Sequence, residues 1–255
     1  MSLNILRWEG GFGGDLLMKL ISGSSAVRTN TKFQDGLSDQ GRILLDFSHL
    51  NLDRLKQIDC IAAQEFFSKI NAALLKQELD ELVAGDQPWW VKSHYYAQDF
   101  YTDHIIDIVA DQEYLPFAVS ANISKTNTIH SDFNLLVSKI TNPHVRYQYS
   151  IYSVAKDFVR PCNTTRTIQI KQLFSGWEQL KQTLKIFDVT LDDELKNTYE
   201  HWLNANIKYL PSSTYQYLAQ TQDYNIDHPK LTLIERYCLL VLSGRKFQLL
   251  DKNEV

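Results

Sequence analysis

Two short runs of this chain carry the residue types that group-transfer chemistry uses. Gly10-Gly11-Phe12-Gly13-Gly14 follows the apolar run Leu3–Trp8 and precedes Asp15-Leu-Leu-Met-Lys-Leu-Ile21. Glycines admit positive φ, so such a loop brings several backbone N–H groups towards one anion, and the positive end of the following helix dipole adds to the attraction. The backbone of Gly11, Phe12, Gly13, Gly14, Asp15 and Leu16 is therefore a candidate cradle for a phosphate-like group. A tight strand-to-helix turn without a ligand is the alternative. Asp15 favours it, because a carboxylate at a helix mouth repels an anion. Neither Lys nor Ser/Thr follows Gly14, so the G-x-x-x-x-G-K-[ST] phosphate loop is absent.

The second run is Lys92-Ser93-His94, near the end of the β-rich stretch Trp89–Tyr96. Strand alternation sends Lys92 and His94 to one face and Ser93 to the other. Where parallel strands end, side chains meet the ligand crevice, so a cation and a base would converge there. An ordinary polar strand end is the competing reading. The other candidates are structural. His104, His130, His144, His201 and His228 have no metal-ligand spacing, and no metal is expected. Asp192, Asp193 and Glu194 suit a helix N-terminus, and no nucleophile elbow surrounds Ser22–Ser25.

Composition narrows the setting. With 44% hydrophobic and 22% charged residues, a chain of 255 residues has material for one well-packed domain. A net charge of -4 and the lack of any Lys/Arg run exclude nucleic acid as a partner. Cys60, Cys162 and Cys238 form no C-x-x-C pair, which points to a reducing cytoplasm rather than a disulfide framework. The N-terminus has no signal-peptide pattern, and the most apolar stretch, Tyr237–Leu242, is too short to span a bilayer. No membrane association is expected.

The elements that must hold these groups follow from periodicity. Strands are predicted at Leu3–Trp8, Trp89–Tyr96, Leu115–Ser120, Phe133–Thr141 and Thr167–Phe174, with a short one at 43–47. Helices are predicted at Asp15–Ser22, Gln57–Val83, Ile105–Val109 and Pro143–Val159. Beyond Gly176 the chain reads as helical: Trp177–Phe187, a long helix to Tyr209 opened by the capping box Thr190-x-x-Asp193, and Thr232–Leu242. Strands alternating with helices, then helices alone, predict a mainly parallel sheet with helices on both faces and a helical C-terminal part at 176–255.

The order glycine loop, Lys-Ser-His strand, then Thr141-Asn142-Pro143 with Ser150 seven residues after the proline resembles the sulfotransferases, whose fold is P-loop-like. The segment "IFDVTLDDELKNTYEHWLNAN" is similar to the terminal helices of bacterial sulfotransferase-like proteins. This resemblance implies that the donor is 3′-phosphoadenosine 5′-phosphosulfate, held by the glycine loop, with Ser150 on its 3′-phosphate. It implies that His94 is the catalytic base and Lys92 the catalytic cation, with a sugar or small-metabolite hydroxyl as acceptor. The family's loop carries a basic residue and a Ser/Thr where this chain has Gly13 and Asp15, and the family's Arg is Thr141 here. A non-catalytic binding or interaction protein of the same fold is thus the alternative. A nucleotide-dependent kinase is disfavoured by the absent loop lysine.

Overall fold

The computed structural model describes residues 3–8, 11–24, 28–29, 89–93, 105–125, 140–159 and 166–250. Gly10, His94, the strand predicted at 43–47 and the helix predicted at Gln57–Val83 lie outside them.

Five strands form one sheet among the described residues: β1 (Leu3–Arg7), β2 (Arg28–Thr29), β3 (Trp89–Ser93), β4 (Ile105–Val109) and β5 (Thr167–Gln169), in the order β2-β3-β1-β4-β5. Every adjacent pair is parallel. β1 is central, with Leu6 in register with Lys92 on one side and Ile106 on the other. Parallel strands need crossovers, and helices on the sheet's faces leave little of it in water. That is why the strands read as near-continuous apolar runs.

The same fact explains two corrections. Ile105–Val109 is a strand where the sequence predicts a helix. Its Ile-Ile-Asp-Ile-Val composition is β-branched, and its first four residues are buried. Leu115–Ser120 is helical where a strand is predicted, lying within α2 (Leu115–Lys125). Pro116 sits in the first turn of that helix, where its missing N–H does no harm. Short apolar runs of this length carry no decisive period. Of the strand predicted at Phe133–Thr141, only Ile140 and Thr141 are described, and neither is in a strand.

α1 (Gly14–Gly23) leaves the loop after β1, and α3 (Pro143–Phe158) begins at the Asn-Pro pair, its N-terminus capped by Asn142 Oδ1 accepting from His144 N at 2.9 Å and Val145 N at 3.2 Å. β5 is shorter than its predicted span, because the chain turns at once into α4 (Ile170–Leu173). The helical C-terminal part is present, as α5 (Trp177–Lys185), α6 (Lys196–Asn206), α7 (Ser213–Thr221) and α8 (Leu233–Leu242). Thr190-x-x-Asp193 does not open a helix. A 3-10 turn at Asp193–Leu195 precedes α6, and Asp193 instead accepts from Trp177 Nε1 at 3.1 Å and Lys181 Nζ at 2.8 Å. The capping box of this region joins Thr232 and Glu235 at the start of α8.

Two apolar cores result. The first joins Leu6, Trp8 and Ile106 of the sheet region to α1, α5 and α6. The second joins α3, α7 and α8 around Ile151, Tyr215 and Tyr237. α2 serves both, giving Phe117 and Ala118 to the first and Leu115 and Val119 to the second. The chain is a mixed α/β protein with a parallel sheet and a helical C-terminal part.

Candidate functional site

The C-terminal end of central β1 feeds the glycine loop directly. Gly11 has φ 100° and Gly13 φ 77°, a left-handed backbone that an L side chain rarely adopts. Gly13 is the N-cap of α1 and brings no side chain to cap it. Its carbonyl accepts from Leu16 N at 3.0 Å and Leu17 N at 3.3 Å, so the Leu16 amide is already engaged in the first helical turn. Asp15 is exposed in that turn, where its charge favours the helix dipole.

The loop is walled by protein. A Cβ on Gly11 would fall 2.5 Å from Ala118 O and 2.9 Å from Asn122 N of α2. One on Gly13 would fall 2.7 Å from Leu173 Cδ1 and 3.1 Å from Trp202 Cζ2, and one on Gly14 would overlap the Trp8 indole. Phe12 is 3% exposed, with its ring edge-on to Phe158 of α3 at 4.7 Å. Trp202 belongs to an aromatic floor in which Phe174 meets Trp202 at 5.3 Å and Phe117 at 4.8 Å.

The remaining residues singled out by sequence stand as follows. Lys92 lies on β3, next to β1, in register with Leu6, and Ser93 is in register with Arg7. His94, the next residue, falls outside the described residues. Ser150 is half-buried on α3, and its hydroxyl donates to Arg146 O at 2.8 Å. A hydroxyl has one proton, so donation to a phosphate would require leaving that carbonyl. Ser150 is eight residues before Phe158 on the same helix, about 12 Å along its axis. The glycine loop and Ser150 are thus joined by α3 but are not side by side along it.

Sequence reasoning missed a charged pair between β1 and β4. Arg7 and Asp107 are register partners on β1 and β4 and form a two-pronged ion pair, Nε to Oδ1 at 2.5 Å and Nη2 to Oδ2 at 2.6 Å. The signal was there: each is the single charge inside an otherwise apolar strand apart from Asn4. Asp111, just past β4, accepts from Lys171 N at 3.0 Å, with the Lys171 ammonium 3.5 Å away. Burial pushes its carboxyl above the ordinary value, and the Lys171 amide and ammonium oppose that rise. Asp111 thereby fastens the start of α4, whose last residue, Leu173, lies against Gly13.

Among the described residues, no group of three or more His, Cys, Asp or Glu is placed to hold a metal ion. No helix among them is long and apolar enough to cross a membrane. Compared with known proteins, the chain matches no protein-family model, no curated protein and no solved structure.

Proposed function

We propose that this chain is a sulfotransferase-like protein with a P-loop-like, nucleotide-binding sheet. It would act in the cytoplasm on a hydroxyl of a sugar or small metabolite, with 3′-phosphoadenosine 5′-phosphosulfate as donor. The observation that carries this reading is the run from a central parallel strand through two left-handed glycines to a helix N-terminus that its own N-cap residue leaves without a side-chain cap. Ligands of open parallel sheets bind at such strand ends, and the amides and dipole there attract anions.

In the reaction, the acceptor oxygen attacks sulfur and the bond from sulfur to the bridging phosphate oxygen breaks. His94 takes the acceptor proton, a role suited to imidazole near neutral pH. Lys92, one strand from the loop, offsets the negative charge that grows on the leaving oxygen. No step in this scheme calls for a metal.

A second reading has its own observation: packing against Ala118, Leu173, Trp202 and Trp8 already accounts for the loop glycines. On it the fold serves as a binding or interaction module without donor chemistry. Thermal unfolding with 3′-phosphoadenosine 5′-phosphate, compared with ATP, separates the two. A specific binder gains about 2.7 kcal/mol at a hundredfold excess over Kd. Stabilisation by the sulfated donor's product alone supports the first reading. Stabilisation by ATP alone points to a kinase-like site, and no shift with either leaves the interaction module.

A further inference from the structure

The segment after α8 is placed like a latch, and its position connects it to the glycine loop. Gly244 (φ 71°) turns the chain, with Gly244 N donating to Val241 O at 2.9 Å and Arg245 N to Leu240 O at 3.1 Å. Residues 245–250 then run back without helix or strand structure, and Arg245, Lys246 and Gln248 are exposed. The Phe247 ring is their aromatic anchor. Phe247 lies 5.1 Å from Tyr149 and 5.6 Å from Tyr152 of α3, and stacks on Tyr237 of α8 at 6.0 Å.

Leu250 also packs against the second core, and the polar part of the grip is on backbone. Tyr152 Oη donates to Arg245 O at 3.2 Å and Arg236 Nη2 to Leu250 O at 3.5 Å, and Tyr237 Oη lies 3.0 Å from Gln248 O. Leu250 N donates to Oε1 of Gln148, a fully buried amide, at 3.1 Å, and the Tyr237 hydroxyl, whose single proton goes either to that oxygen or to Gln248 O, lies against both. A backbone N–H can only donate, so Gln148 must turn its oxygen to the segment and its Nε2 to His144 Nε2, 2.6 Å away. That histidine nitrogen accepts, and the buried amide is committed to the docked segment.

α3 carries this grip towards the loop. Gln148, Tyr149 and Tyr152 hold residues 245–250 on one stretch of the helix. Phe158, at its other end, packs edge-on to Phe12 and touches both cores. We propose that residues 245–250 are a releasable strap that, through α3, sets how firmly Phe12 and the glycine loop are seated. The docked strap holds α3 against α8 and the loop closed over its apolar floor. The released strap loosens α3, and the loop exchanges more readily with water. This regulation applies to whatever the loop binds, and its readout needs no ligand.

The test is hydrogen exchange on the full chain, on Phe247→Ala and on a chain ending at Gly244, with β4 at Ile105–Val109 as the internal reference. Release of the strap, checked by proteolysis of residues 245–250 in Phe247→Ala, should speed exchange over Gly11–Leu16 by about 5- to 30-fold while β4 stays protected. Tyr152→Phe, which removes the bond to Arg245 O and keeps the ring, should give a smaller rise in the same place. Unchanged loop exchange with a released strap would overturn the proposal. So would an equal rise in β4, because the segment would then be core rather than latch.

Discussion

Gly13→Ala is the perturbation that separates packing from ligand binding in the loop. At φ 77°, an alanine bears the left-handed penalty of about 1–2 kcal/mol. Its Cβ would also press on Leu173 Cδ1 at 2.7 Å and Trp202 Cζ2 at 3.1 Å. Leu173 is fully buried, so relief means moving core atoms, at about 1–3 kcal/mol. The sum is about 2–5 kcal/mol, and at about 2–4 °C per kcal/mol for a domain approaching this size, Tm should fall by roughly 4–20 °C. Thermal melts followed by tryptophan fluorescence measure it, since Trp8 and Trp177 are buried in the affected core. Leu173→Ala alone should destabilise as a cavity. Combined with Gly13→Ala it should cost less than the two added, by about 1–3 kcal/mol, because the closer of the two crowding contacts is gone. Strict additivity would refute the steric part of the argument. Wild-type stability in Gly13→Ala would refute all of it. If nucleotide binding vanished with stability intact, the glycine would serve the ligand.

Three further outcomes are expected. Asp107→Ala leaves the Arg7 guanidinium without its carboxylate between two central strands and should destabilise by about 3–5 kcal/mol, whereas Arg7→Met with Asp107→Leu should recover most of that in urea melts. Asp111 has a raised folded-state carboxyl value, so the folded protein holds that proton more tightly than the unfolded chain. Its contribution is greatest at acid pH and declines as pH climbs from the ordinary carboxylate range through the raised value, so Asp111→Asn should flatten that decline in a pH series of melts. His94→Ala should abolish sulfuryl transfer in a radiolabelled-donor assay, while Lys92→Ala lowers kcat more than donor affinity. An unchanged kcat in either variant removes that residue from the reaction.

What was legible in the sequence was the punctuation. Gly10–Gly14 marked the end of the first strand and the start of its helix, Asn142-Pro143 marked the start of α3, and Thr232 marked that of α8. Each signal is local chemistry: positive φ, a side-chain cap, a fixed proline ring. The misreadings came where tertiary burial decides. Ile105–Val109 and Leu115–Ser120 are both short and apolar, and only their places in the sheet and between the two cores make one a strand and the other a helix. The ion pair of Arg7 with Asp107 depends on register between strands a hundred residues apart, which no window of sequence contains. Thr190-x-x-Asp193 fits a capping pattern, yet Asp193 finds Trp177 and Lys181 instead.

The Arg7–Asp107 pair also acts as an alignment key. Buried parallel strands present nearly uniform apolar rows, and sliding one past another by two residues keeps every side chain on its own face. For β1 and β4, such a slide would set Arg7 opposite Ile105 or Val109 and break the two-pronged pair with Asp107. The pair therefore favours the observed offset of these strands. Because the glycine loop hangs from the last residues of β1, a misalignment of two residues would carry it roughly 7 Å along the strand direction, away from Leu173 and Trp202. This charge pair thus helps to fix the address of the loop that β1 feeds.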